Sequence, residues 1–205
     1  MQSKPKYKVC KRLGSGVYEK CQSPRYMLSE QRTQKNNNNK RPQTLSDFGK
    51  QLIEKQRVRL LYGLGEKQFR NYVHTVVAHS HGDAREELLK KLETRLDNVI
   101  FRLGIASTRR AARQMVSHGH ILVNNKRTTS PSYTVTSGDT ISIREGSKSR
   151  ILFSALKEKE IPQQSVPSWL SFDIKKLEAK ILHAPKIDDI EMPIDIRLVL
   201  EFYSR

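Results

Sequence analysis

Three arginines dominate the chemistry this sequence can do. Arg109, Arg110 and Arg113 lie between Ser107, a helix-capping residue type, and Gly119, a helix-ending one. At about 100° per residue, Ala111, Ala112, Met115 and Val116 share one face of a helix over 108–118. The arginines share the other face with Gln114 and Ser117. One side packs, and the other presents guanidinium forks that each match two phosphate oxygens. His118, Lys126 and Arg127 follow at the helix end and at a tight turn around Asn124 and Asn125, since asparagine tolerates positive φ. A second basic group precedes them: Lys50, Lys55, Arg57 and Arg59, then Lys67, Arg70 and Asn71. Lys40 and Arg41 close a polar run further upstream. These residue types hold phosphates, and none of the groupings pairs a nucleophile with a base.

Other reactive side chains do not assemble into a site. His79 with His81, and His118 with His120, lack the cysteines or carboxylates that would complete a metal set. Cys10 and Cys21 are two, and a structural zinc site takes four ligands. No bound metal and no cofactor are expected, and the two thiols should be simply packed or exposed. No phosphate-cradling glycine loop or dinucleotide motif occurs. Asp97, inside a leucine-striped helix, reads as a structural or capping carboxylate. An enzyme is not expected.

The charge balance favours the same chemistry. The chain of 205 residues holds 38 Lys and Arg against 21 Asp and Glu, a net charge of +17. Residues 1–62 carry 15 basic and 4 acidic residues, whereas 147–205 carry 10 and 9. Such an excess repels itself, and a polyanion relieves it. No apolar run approaches the roughly 20 residues of a membrane span. The charged N-terminus does not look like a secretory signal, so a soluble, cytoplasmic protein without a membrane partner is expected. Near the C-terminus, Asp188, Asp189, Glu191, Asp195 and Glu201 should turn away from a nucleic acid and toward a basic protein.

Several elements must position these residues. Residues 1–46 are poor in aliphatic side chains and read as a basic extension that stays disordered until it meets phosphate. A helix is expected from Ser46 or Asp47 through Leu61, and another from Glu66 with Phe69, Val73, Val76 and Val77 on one face. Leu88, Leu92, Leu96, Val99 and Leu103 repeat at helical spacing and predict one helix from near Asp83 to Gly104. The arginine helix should start on Ser107 as its cap. Strands are expected over 120–124, 140–144, 169–173 and 177–182. A helix over 148–159 and a last one over 194–203, opened by Pro193, complete the reading. The fold class is α+β.

The stretches 93–104 and 107–124 resemble the S-four RNA-binding module. Further matches over 45–49, 54–59, 61–63, 66–71 and 201–205 resemble the bacterial-type small-subunit ribosomal protein S-four family. The resemblance implies a basic extension (1–44), a helical domain (45–92, completed by 184–205) and an inserted RNA-binding module (93–183). It implies a primary binder of 16S-type ribosomal RNA that nucleates assembly of the subunit body. It also implies a place near the messenger RNA entrance, where Lys40 and Arg41 match basic positions, and a contact with ribosomal protein S-five linked to decoding accuracy. Two features depart from the family. Leu13 and Tyr26 stand where zinc-binding members have cysteines, and an asparagine run replaces a Pro-Gly-Gln-His-Gly type loop. The triplet Arg95-Leu96-Asp97 is also similar to one in pseudouridine synthases, but their catalytic domain has no counterpart here. The alternative is a stand-alone RNA-binding factor built on the same module. Loss of Arg109 and Arg113 together is expected to weaken RNA binding without unfolding the module.

Overall fold

The computed structural model describes residues 5–37, 45–79, 82–148, 166–174, 176–189 and 194–204. They form two compact units, one within Met1–Arg85 and Pro193–Arg205, the other within Glu86–Met192. The second unit is thus inserted between two parts of the first. The expected helix over 148–159 lies almost wholly outside the described residues, as do Pro193, Lys40, Arg41 and Glu191.

The first unit corrects the expectation for the chain's start. Residues 5–37 fold as α1 (Lys6–Leu13), two 3-10 turns (Ser15–Val17 and Glu19–Gln22) and α2 (Pro24–Asn37). Cys10 and Cys21 are neither free nor simply packed, because a disulfide joins them across a Cα separation of 6.4 Å. With Tyr26 they form a small core flanked by Tyr7 and Tyr18. Tyrosine rings and a covalent link supply the packing that the missing aliphatic side chains do not. Leu13 is buried as well.

Next come α3 (Asp47–Leu61) and α4 (Glu66–His79). Ser46 Oγ accepts from Gly49 N at 3.2 Å and caps α3. Gly63, at φ 62°, turns the chain between the two helices. Phe69, Val73 and Val76 are buried on α4, but Val77 is exposed. It sits about 40° beyond Val73, at the edge of the stripe that the other three define. The last helix, α9 (Ile196–Tyr203), is capped by Asp195, whose Oδ1 accepts from Arg197 N. Its rings pack on both earlier helices, Phe202 on Phe48 (centroids 5.6 Å) and Tyr203 edge-on to Phe69 (6.1 Å).

Glu66 ties the three helices together. It accepts from Lys55 Nζ at 2.5 Å and from Tyr203 Oη at 3.2 Å. Arg59 Nε lies 3.1 Å away as an ion pair without hydrogen-bond alignment. Burial pushes the Glu66 carboxyl up, but the Lys55 bond and charge, the Tyr203 hydroxyl and Arg59 together hold it below the usual carboxylate range. Burial, then the Glu66 charge and bond, push the Tyr203 phenol up, so it remains a donor. A depressed carboxyl stabilises above its unfolded value of about 4.3 and loses that contribution as pH falls through the folded value. Half-exposed, the tie contributes less than about 1 kcal/mol. Glu66→Gln should therefore reduce the acid sensitivity of this unit below about pH 4.3, read from melts of the near-UV tyrosine signal between pH 3 and 7. An unchanged pH profile would show that Glu66 is not a titrating tie.

The second unit takes up α5 (Ala84–Glu93) from Glu86 onward and continues with α6 (Leu96–Arg102). The single helix expected here is broken at Thr94 and Arg95. Arg95 is extended (φ −67°, ψ 135°) and bridges Thr134. Leu96 N donates to Tyr133 O, Asp97 N to Pro131 O, and Val135 N to Thr94 O. The backbone pairs with residues 131–135 instead of continuing the helix, and the leucine stripe stays buried on both pieces. α7 (Arg109–Ser117) packs on α6. Its cap is Thr108, one residue later than expected, with Oγ1 accepting from Ala111 N at 3.1 Å.

Among the described residues five antiparallel strands follow: β1 (Ile121–Val123), β2 (Lys126–Arg127), β3 (Thr140–Ile143), β4 (Leu170–Asp173) and β5 (Glu178–Ile181), in spatial order β2-β1-β3-β5-β4. Asn124 and Asn125 take φ 49° and 63°, the left-handed turn anticipated between β1 and β2. The short helix α8 (Glu145–Lys148) shares only Lys148 with the expected 148–159 helix. Ile121, Ile141, Ile143 and Ala179 of the sheet meet Leu96, Val99, Ile100 and Val116 of the helices around Trp169 in one core.

Candidate nucleic-acid interface

The arginine helix presents its charge on a built foundation. Asp97, nearly fully buried, accepts from Arg95 Nε (3.0 Å) and Nη2 (2.8 Å), and from Arg113 Nε (3.0 Å) and Nη2 (2.8 Å). Glu93, fully buried, accepts from Arg102 Nε (3.0 Å) and Nη2 (2.8 Å) and from Asn98 Nδ2 (2.7 Å). Asn98 Oδ1 then accepts from Arg109 Nε at 2.8 Å. The Arg109 guanidinium also lies 4.3 Å above the Phe101 ring. Arg110 is exposed.

Arg109 and Arg113 are consequently half-buried and bonded, and of the three arginines only Arg110 is exposed. Removing both leaves Asp97 and Asn98 with fewer partners, so the double change costs stability as well as charge. Asp97 has the structural role expected of it, as the hub of two guanidinia.

The hairpin joins this helix through Gly119. A Cβ there would fall 2.2 Å from Arg127 Nε, and φ is 71°. Only glycine lets Arg127 cross the helix end and donate from Nη2 to His118 O at 3.3 Å. His118, Lys126 and Arg127 are exposed beside α7. His120 instead turns inward, with Nδ1 2.9 Å from Ser147 Oγ.

In the first unit the structure sorts the second basic group. Lys50 is exposed and pairs with Asp47 at 3.2 Å. Lys67, Arg70 and Asn71 are exposed on α4. Lys55, expected on the basic face, is instead buried, bonded to Glu66 and 4.9 Å from the Phe202 ring centre, so its charge is used inside the unit. Arg57 donates to Leu13 O at 2.6 Å and pairs with Glu54, holding the N-terminal helices to α3. Arg59 is mostly buried against Glu66.

The acidic group is similarly occupied. Asp189 accepts from Ser168 Oγ at 2.6 Å and Lys186 N at 3.0 Å. The Ser168 bond, then the Lys186 amide, hold its carboxyl low. Asp195 is a helix cap, and Glu201 accepts from Gln51 Nε2 at 3.1 Å and pairs with Arg197. The Asp188 side chain lies outside the described residues.

Sequence reasoning missed Glu93, Arg95, Asn98 and Arg102. The available signal was two carboxylates, Glu93 and Asp97, inside an apolar stripe, which demand buried cations.

An antiparallel sheet with a braced arginine helix and an adjoining basic hairpin defines a protein carrying an S4-type module. The S4 domain family matches residues 94–141, and the family described as Ribosomal protein S4/S9 N-terminal domain matches residues 2–93. The small ribosomal subunit protein uS4 of Herpetosiphon aurantiacus is 47% identical over 166 residues, covering 80% of this chain and 78% of its own. That of Persephonella marina is 46% identical over 161 residues (78% of each). That of Fervidobacterium nodosum is 39% identical over 207 residues, covering 98% and 97%. The chain belongs to the bacterial-type uS4 family of small ribosomal subunit proteins.

Proposed function

We propose that this protein is a structural, non-enzymatic component of the small ribosomal subunit, working in the cytoplasm as a primary binder of 16S-type ribosomal RNA. The observation that carries the reading is the guanidinium group of α7, set on buried acceptors beside an exposed basic hairpin, in a chain of the uS4 family. Arg109, Arg110, Arg113, His118, Lys126 and Arg127 are its RNA contacts in the inserted unit. Lys50, Lys67, Arg70 and Asn71 are its contacts in the helical unit, and Lys40 and Arg41 match the family's basic positions toward the messenger RNA entrance. Duplex RNA hides its major groove, so selectivity comes from junction shape and 2′-hydroxyls. Binding nucleates assembly of the subunit body. The near-balanced charge of residues 147–205 supports a protein contact, with ribosomal protein S-five, through the acidic side chains that remain exposed.

The test is a salt titration of binding to the 5′ domain of 16S-type RNA beside a length-matched structured RNA. Each phosphate contact adds about 0.7–0.9 to the log-log slope. The ribosomal RNA should keep a large advantage as salt rises. Parallel loss for both RNAs would leave only the +17 charge and favour a stand-alone RNA-binding factor.

A further inference from the structure

We propose that Glu93 and Asp97 are positioning residues of the RNA-binding face, and that Arg102 belongs to that face with Arg109 and Arg113. This rests on the reading that the α7 face binds RNA.

The geometry forms two short chains. In one, Asp97 grips Arg95 from within and Arg113 from the surface side, all four contacts lying between 2.8 and 3.0 Å. In the other, Glu93 holds Arg102 directly and Arg109 indirectly through Asn98. The Asn98 amide has a forced orientation. Its Nδ2 donates to Glu93 Oε2 and to Glu93 O, leaving Oδ1 for Arg109. A flipped amide would set an NH2 group against a guanidinium. The Phe101 ring lies 4.3 Å beneath the Arg109 guanidinium and adds a second contact to it.

A buried ion pair is a weak device for stability, because desolvation offsets the attraction. It is an effective device for orientation. A flexible arginine loses rotamer freedom when it grips a phosphate, and one already held loses less. The buried carboxylates also lower the local positive charge. A purely coulombic interface would do better without them, whereas an oriented one requires them. The two accounts therefore predict opposite signs when a carboxylate is neutralised.

The experiment uses the full chain and the 5′ domain of 16S-type RNA. Asp97→Asn and Glu93→Gln each add one unit of net positive charge. Glu86→Gln, at an exposed position on α5, adds the same charge at a residue that is not part of either buried carboxylate chain. Folding at the assay temperature is confirmed by Trp169 emission. Positioning predicts at least a tenfold loss of affinity for the two buried variants, and no loss for Glu86→Gln. Affinity equal to or tighter than that of Glu86→Gln in the folded buried variants overturns the proposal.

Should either buried variant fail to fold, a cycle of Asn98→Ala with Arg109→Ala decides the matter, since neither change leaves a carboxylate without a guanidinium. Coupled positions give a double variant no weaker than Arg109→Ala alone, and additive losses overturn the proposal. For Arg102, Arg102→Gln should lower the salt slope by about 0.7–0.9; an unchanged slope removes it from the face. If simultaneous loss of Arg109, Arg110 and Arg113 leaves affinity untouched, it is the RNA-binding reading itself that fails.

Discussion

Arg95→Ala should lower the stability of the inserted unit by about 3–5 kcal/mol. Arg95 is only 2% exposed, and its fork supplies two of the four contacts on Asp97. Its loss leaves a buried carboxylate half-compensated and a void where a large side chain stood. A domain is stable by about 5–15 kcal/mol in total, so the variant should be marginal at 37 °C. Trp169, the one tryptophan in the chain, is fully buried in this unit's core and reports its unfolding alone. Urea titration of Trp169 emission measures the change. A midpoint equal to that of the unaltered protein would show that Asp97 does not need Arg95.

The second large effect is on binding. Changing Arg109, Arg110 and Arg113 together to alanine should lower the log-log salt slope for the 5′ domain RNA by about 2–3, and affinity near 0.15 M salt by about 10²-fold. The three positions do not contribute alike. Arg110 is exposed, so its loss should weaken binding with little change in stability. Arg113 also compensates Asp97, and Arg109 also satisfies Asn98, so those changes act on the fold as well. Filter binding across a salt series, beside Trp169 unfolding curves, separates the two effects. An unchanged slope in the folded triple variant would mean that these arginines do not touch phosphate.

Much of this was legible from residue order. Local rules act through neighbours, and neighbours are visible in a sequence. The α3 cap at Ser46, the start of α4 at Glu66, the asparagine turn after β1 and the two-faced arginine helix all follow from spacing and residue type. The uS4 family was legible too, because several short stretches keep their order over most of the chain. The misreadings share a cause. The Leu88–Leu103 stripe has helical periodicity throughout, yet Arg95 is extended, because residues 131–135 offer its neighbours hydrogen bonds from far along the chain. Lys55 reads as an exposed cation in the sequence, yet Glu66 and Phe202 enclose it in the fold. The N-terminal segment looked coreless because a disulfide and three tyrosines make a core that hydropathy does not register.

By itself the sequence determined the charge, the α+β class, the family and the helix face on which the arginines stand. Each depends on composition or on residues a few positions apart. Tertiary structure alone decided which cations are available to a partner and which are used internally. That choice depends on acceptors brought from distant positions: Asp97 and Glu93 hold Arg113 and Arg102 with part of each side chain still exposed, whereas Glu66 meets a Lys55 that is buried. A lysine or arginine reads the same in sequence whether it faces water or a buried carboxylate, and only the fold places the carboxylate.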